Sequence, residues 1–481
     1  MNDFKNRKIR QGTPRKPMSE KAKQNLATAL GIVLLVVVIY TSGVQLLEKL
    51  GASRLVQLFS GVFGKELLTD GRGHTNILLL GIGGEGHEGK DLTDTIMIAS
   101  LDHRNNAVSL LSLPRDLYTE SSLGGSRINR LYEQGKLKWG PAQGLDFVRD
   151  TIEKIIAVPI QYSVKVDFEA TSKMVDAIGG IDVYVEDTIN DPFYPKGETY
   201  EYETFFLAKG NQHLDGETAL KYVRSRKTSS DFDRSKRQQQ VLLALKNKAQ
   251  EENILSKNRL LNQLYRSMQD HVETNMSLRE MISLADFAAH WDSSNLAMAT
   301  LNDEATYRGG FLYTPVRELY GGAYVLLPAS DNFDSLRLFV ELVFEGPKNI
   351  PELPVAIVNG TKQPGFAATA RSILNRFGMR FSGVGNAKAQ DLAKTTWYFQ
   401  KPEAEAFVTF LQKMIPGEIV KTIPGDYAQD PKFTDAAIVL ELGSDARPFV
   451  DKLDVFKNVF LMVPPAAATA AAEPAAPDAK P

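Results

Sequence analysis

The chain has 481 residues, too many for one ordinary domain, and a globular composition with 43% hydrophobic and 24% charged residues. Its formal net charge of -2 points to no nucleic-acid partner, so any electrostatic argument must be local. The absence of cysteine excludes disulfides, thiolate metal sites and a cysteine nucleophile.

Residues 1–25 form a basic tail carrying Lys5, Arg7, Lys8, Arg10, Arg15, Lys16, Lys21 and Lys23 against Asp3 and Glu20. Residues 26–47 (LATALGIVLLVVVIYTSGVQLL) contain no charge. A helix of about 20 residues spans a bilayer core of about 30 Å. Basic flanks stay cytoplasmic, so the expectation is a single-pass anchor in the cytoplasmic membrane, N-terminus inside and large domains outside. A cleaved signal peptide is the alternative; the run is longer than a typical signal core and no clear Ala-x-Ala site follows. Residues 48–72 read as a juxtamembrane segment.

A first large domain is expected over 73–346. Asn76–Leu80 reads as a buried strand entering a glycine-rich loop, Gly81–Gly89. Thr95–Ser100 and Ala107–Ser112 read as a hairpin joined at Asn105-Asn106. Helices are expected over Gly144–Ile156, Ala170–Ile178, Gln238–Asn253, Leu260–Asp270 and Leu278–Ala288, with a strand at Ile181–Val185. The fold class predicted is α/β, a mixed-sheet α-β-α sandwich. A linker at 347–354 leads to a small α/β domain over 355–463, built on the strand Val355–Val358, a helix Gly365–Phe377 and a strand near Arg380–Val384. Residues 464–481 are almost all alanine and proline, and predict disorder.

Three constellations carry chemistry. Gly81-x-Gly83-x-x-Gly86 follows a strand, but the loop runs on into another strand and offers no helix N-terminus for a dinucleotide. A flexible loop shaping a pocket fits better. Second, Glu85, Glu88, Asp91, Asp94 and Asp116 gather acids near that loop. If the hairpin pairs as drawn, Asp94 and Arg115-Asp116 share one edge of the sheet. Such oxygen ligands suit Mg²⁺.

The third is Tyr222–Leu245, YVRSRKTSSDFDRSKRQQQVLLAL. Tyr222–Arg226 reads as a strand that projects Arg224 and Arg226 from one face. A helix then begins near Ser230–Asp233, carrying Arg234 and Gln238 at i and i+4 above a stripe of Val241, Leu242 and Leu245. Two guanidinium groups about 6 Å apart at an effective dielectric of about 20 repel by about 3 kcal/mol. An anion among them removes that cost, and planar forks with helix N–H groups suit a phosphate or pyrophosphate. A solvated basic face paired to Asp231 or Asp233 is the alternative.

Here the sequence resembles a known family. Asp94-Thr-Ile-Met97, Ser109-Leu-Leu-Ser-Leu-Pro-Arg-Asp116, Arg127-Ile-Asn129, Val175-Asp-Ala-Ile-Gly-Gly-Ile181, Leu214-Asp-Gly-Glu through Arg226, and Asp233-Arg-x-x-Arg-Gln-Gln239 look like the LytR-CpsA-Psr family. Val358-Asn-Gly360 and Gly365-Phe-Ala367 resemble, more loosely, the C-terminal domain often attached to it. The resemblance implies an extracytoplasmic phosphotransferase that moves a glycopolymer from a polyprenyl-pyrophosphate carrier to peptidoglycan through a phosphodiester. It implies that Arg115, Arg224, Arg226, Arg234 and Gln238 bind pyrophosphate and that Asp94 holds Mg²⁺. Asp116 is expected to act as a base or to orient an arginine. Where the family often carries another acid followed by Ser-Arg, this chain has Gly83-Gly84-Glu85; Glu85, Glu88 or Asp91 are the expected stand-ins, with Asp91 taken as the second metal ligand. A non-catalytic carrier-lipid or wall-polymer receptor stays open, and a DNA-binding role is not expected.

Overall fold

A computed structural model of the protein describes residues 67–85, 87, 89–195, 201–225, 231–251, 271–291, 295–330, 333–346 and 353–454. The expected anchor, the basic tail before it, residues 48–66 after it, the expected helix Leu260–Asp270, the alanine-proline tail, Gly86, Glu88 and Arg226 lie outside these residues. Among the described residues no helix is long and apolar enough to cross a membrane.

Three strands open the described chain: β1 (His74–Ile82), β2 (Thr93–Asp102) and β3 (Ala107–Leu113). They pair antiparallel in turn, Leu79 opposite Met97 and Ile98 opposite Leu111. The β2–β3 turn falls at Asn105-Asn106, where Asn106 takes a φ of 46°. A small ribbon, β4 (Tyr118–Ser121) and β5 (Gly124–Arg127), leads to α1 (Leu131–Trp139) and α2 (Pro141–Ile156). α1 was not expected. Gly135 interrupts its pattern, because α1 and α2 approach at glycine: a Cβ on Gly144 would meet the Lys136 backbone N at 2.8 Å.

β6 (Tyr162–Asp167) then pairs parallel with β1, and α3 (Phe168–Ala177) follows directly, capped by the Asp167 side chain on the Ala170 N–H at 2.7 Å. β7 (Ile181–Val185), β8 (Ile189–Pro195), β9 (Tyr202–Leu207) and β10 (Gly210–Leu214) form two ribbons, β7 with β10 and β8 with β9. α4 (Gly216–Arg224), α5 (Asp231–Glu251), β11 (Val272–Thr274), α6 (Leu278–His290), β12 (Leu296–Thr300), the short pair β13 (Leu312–Tyr313) and β14 (Leu327–Pro328), and α7 (Asp334–Glu345) complete this part.

The central sheet has six strands in the order β11-β6-β1-β2-β3-β12, parallel at β1/β6 and β3/β12 and otherwise antiparallel. Alternation along β1 divides the core. Ile77 and Leu79 join one cluster with Met97, Val164 and residues of α3, α4, α5 and α6. Leu78 and Leu80 join another, with α1, α2 and α7. The result is a mixed α/β fold with helices on both faces of the sheet.

A second sheet, β16-β15-β19-β17-β18, is built from β15 (Val355–Asn359), β16 (Phe381–Asn386), β17 (Thr396–Phe399), β18 (Glu418–Val420) and β19 (Ile438–Leu442). α8 (Phe366–Arg376) crosses between the parallel strands β15 and β16, and α9 (Glu403–Leu411), α10 (Gly425–Ala428) and α11 (Arg447–Leu453) accompany the rest. The cluster that includes Leu78 continues into this unit through Phe339, Phe377 and Ile373.

One expectation about local structure is overturned. Tyr222–Arg224 is not strand but the last turn of α4, which ends at its C-cap Ser225. Asp215 caps that helix on the Thr218 N–H at 2.8 Å, and Ala219, Tyr222 and Val223 bury one face. The short Val-Arg-Ser-Arg alternation imitates a strand, but the cap and the i, i+3, i+4 spacing decide for the helix.

Candidate active site

A cavity of about 480 Å³ opens between the sheet and the helices of one face. Its walls are apolar: Leu79 and Met97 from β1 and β2, Val164 and Val166 from β6, Met174 from α3, Leu220 and Val223 from α4, and Val241, Leu242 and Leu245 from α5. The α5 stripe, expected to be ordinary core, therefore borders open space. Polar groups reach the same cavity at Asp94, Asp167, Asp191, Arg224, Arg234 and Gln238. One space thus joins an oily interior to a charged set.

Arg224 ends α4 and lies over the Phe168 ring at 4.4 Å and the Tyr194 ring at 5.8 Å. Burial pushes the Tyr194 phenol above its ordinary value, and the Arg224 and Lys221 charges offset part of that. Arg234 is buried, with Nη2 3.5 Å from the Asp94 carbonyl. Gln238 stands one turn along α5 from Arg234, so both face the cavity from one helix side.

At the sheet edge the expected meeting of Asp94 with Arg115-Asp116 is present. Arg115 Nη1 donates to Asp94 Oδ1 at 2.5 Å, and Arg115 Nε lies 3.5 Å from Asp116 Oδ2. Arg127 Nη1 donates to Asp116 Oδ1 at 3.0 Å. Asp116 is buried between the two guanidinium groups, which suits orienting Arg115 better than collecting a proton. Arg115 does not itself line the cavity; Asp94 does.

The α4–α5 junction is held by an arginine that sequence reasoning left unassigned. Arg237 is buried, donates from Nε to the Tyr222 carbonyl at 2.8 Å, and donates from Nη2 to the Ser225 carbonyl. It thereby fastens the end of α4 to α5. Burial holds its guanidinium below the usual arginine value. Ser225 Oγ in turn donates to Asp191 Oδ2 at 2.8 Å, tying α4 to β8.

Of the expected acids, Asp94 faces the cavity. Asp91 does not; its carboxylate takes Lys136 Nζ at 2.7 and 2.8 Å. Glu85 is exposed and paired with Lys90 at 2.8 Å. Two cavity carboxylates were missed. Neither Asp167, the N-cap of α3, nor Asp191, next to Pro192 in β8, was singled out in the sequence. Asp167 Oδ2 also accepts from His271 Nδ1 at 2.7 Å. Gly84, with a φ of 83°, lies against it: a Cβ there would come within 2.8 Å of the Asp167 Cβ. Among the described residues, no group of three or more His, Cys, Asp or Glu side chains could hold a metal ion. The all-oxygen donors at the cavity still suit Mg²⁺, which completes its shell with water and phosphate oxygens.

The sequence profile described as the LytR_cpsA_psr family matches residues 33–320, more than half of the chain. The chain belongs to the LytR-CpsA-Psr family. A second profile, described as LytR cell envelope-related transcriptional attenuator, matches residues 352–445 of this LytR-CpsA-Psr protein. It is 35% identical over 214 residues to the polyisoprenyl-teichoic acid–peptidoglycan teichoic acid transferase TagU of Bacillus mycoides (strain KBAB4), covering 44% of this chain and 62% of that one. It is 29% identical over 243 residues to the transferase of the same description, TagV, of Bacillus subtilis (strain 168), covering 49% and 58%. The chain thus spans about three fifths of the length of these curated relatives. The crystal structure of B. subtilis TagV is 24% identical and covers 57% of this chain and 99% of its own, with a TM-score of 0.44.

Proposed function

We propose that this protein is a membrane-anchored, extracytoplasmic phosphotransferase that moves a glycopolymer from a polyprenyl-pyrophosphate carrier to peptidoglycan. The observation that carries this reading is the single cavity in which apolar walls meet Arg224, Arg234 and Gln238. An isoprenoid diphosphate has the same division, an oily tail and a charged head. The relatives' names, which specify a polyisoprenyl-linked donor and peptidoglycan, fit it. The anchor would be the uncharged run Leu26–Leu47, with the basic tail inside.

In the reaction, an acceptor hydroxyl attacks the sugar-linked phosphorus. The new P–O bond forms as the bond to the leaving polyprenyl phosphate breaks, and the hydroxyl proton passes to solvent or a nearby base. Phosphoryl transfer asks mainly for positioning and charge neutralisation. Arg224 and Arg234 would neutralise the diphosphate, Gln238 would fix one of its oxygens, and Arg226 would add a further fork. Arg115, aligned by Asp116, would place Asp94. Asp94 would hold Mg²⁺ with phosphate oxygens and water, and the bound ion would add positive charge beside the leaving group.

The test starts with full-length protein extracted from membranes and analysed by mass spectrometry for bound polyprenyl phosphates. The same preparation, given a peptidoglycan acceptor, should release polyprenyl phosphate. Protein without any such lipid would defeat the proposed pocket, and retained lipid without release would leave a receptor.

A further inference from the structure

The β8–β9 ribbon is a wall with two unlike faces. Its inner side supplies Asp191 and Tyr194 to the cavity, which Phe193 and Pro195 also border from the rim. Its outer side is bare: Phe193, Tyr202 and Phe206 are 51%, 64% and 62% exposed. Phe193 and Tyr202 touch at 5.9 Å, and Phe206 stands opposite Asn190 on the same ribbon. Together with Tyr184 these make four of the large exposed apolar side chains among the described residues, all within the span 184–206. Exposed aromatic side chains gathered along one ribbon mark a contact site.

We propose that this outer face rests on the lipid bilayer and turns the cavity mouth toward the membrane. The inference deepens the reading above and rests on it. Three observations select lipid. The patch is continuous with the cavity, because Phe193 belongs to both. The Phe193–Tyr202 pair is edge to face, 81° between planes, and so offers no flat double platform for a sugar ring. Phenylalanine and tyrosine suit the headgroup boundary, where a ring sits in apolar surroundings and a hydroxyl reaches water. Among the described residues, two flanking lysines are paired within the protein: Lys221 with Glu203 and Glu217, both within 2.8 Å, and Lys209 with Asp187 at 3.5 Å. The contact is therefore apolar and does not call for anionic lipid.

Because the protein has no cysteine, a single Phe206→Cys or Tyr202→Cys change accepts one fluorophore. Leu137→Cys, 82% exposed on α1, is the control. The full chain is reconstituted in phosphatidylcholine vesicles whose acyl chains carry nitroxide quenchers. Labels at 206 and 202 should lose most of their emission, the label at 137 should keep it, and added salt should change neither. Equal emission at all three sites overturns the proposal. So does shielding that grows with protein density, which means a second copy, or shielding by added wall glycan, which means a carbohydrate surface. Bound polyprenyl lipid is measured in each preparation: unquenched labels with lipid retained sink the docking alone, whereas absence of lipid sinks the carrier reading.

Discussion

The Arg224 guanidinium lies over the faces of Phe168 and Tyr194. Such contacts are worth about 0.5–1 kcal/mol each at partly exposed sites. A charge-assisted hydrogen bond to a phosphate is worth about 1.5–3 kcal/mol. The charge should therefore matter more than its aromatic seat. Arg224→Ala is expected to lower co-purifying polyprenyl lipid by about 10- to 100-fold, and Phe168→Ala by only about 2- to 5-fold. Lipid phosphate per protein checks both. Asp116 tests positioning. Asp116→Asn keeps the shape but loses the charge between Arg115 and Arg127, so single-turnover release should fall by about 100-fold while lipid retention stays within about twofold. Much of this was legible beforehand. Antiparallel pairing from the Asn105-Asn106 turn places Asp94 beside Arg115, and the helical step places Arg234 beside Gln238. Arg237 was not legible: the same residue type, three positions from Arg234, serves the end of α4, and only the path of the chain tells the two apart.

α5 carries its polar end and its oily stripe on one helix, and the cavity follows both. Leu242 is half-buried and lines that cavity. Leu242→Trp should fill space meant for a tail and abolish lipid retention, while thermal melting of the protein changes little. The β2–β3 hairpin gives a second test at this scale. Burial pushes the Asp102 carboxyl up, but hydrogen bonds from the Asn105 side chain and backbone, the His74 charge and the Arg104 N–H outweigh it. The net value lies below the ordinary 3.8. A carboxylate held low contributes stability that is present above its unfolded value and lost as pH falls through the folded one. Asp102→Asn should therefore lower the urea midpoint at neutral pH, and the gap to the parent should close as pH falls below the ordinary 3.8 and through the lower folded value.

Across the whole molecule, the two sheets share a core. Phe311 and Phe339 meet Phe377 of the second unit at 5.0 and 6.2 Å. Arg376 Nε donates to the Ala305 carbonyl at 2.8 Å, and burial pulls its guanidinium down to about 10. Gly378 takes a φ of 89° where a Cβ would come within 2.7 Å of the Arg308 side chain. Losing a buried phenylalanine costs about 3–5 kcal/mol. Phe377→Ala should accordingly split one calorimetric transition into two, because the junction weakens more than either sheet. A single transition at unchanged temperature would show that the units unfold independently of this contact.

Sequence alone determined the elements whose signals are local: the β2–β3 hairpin, the amphipathic helices, and the motifs that identify the family. Only tertiary structure decided that Asp91 belongs to Lys136, that Asp167 and Asp191 face the cavity, and that the stripe of Val241, Leu242 and Leu245 also borders it. Turns, caps and periodicity depend on neighbours a few residues away. A cavity is the gap left when elements distant in the chain pack together, and no single segment records its shape.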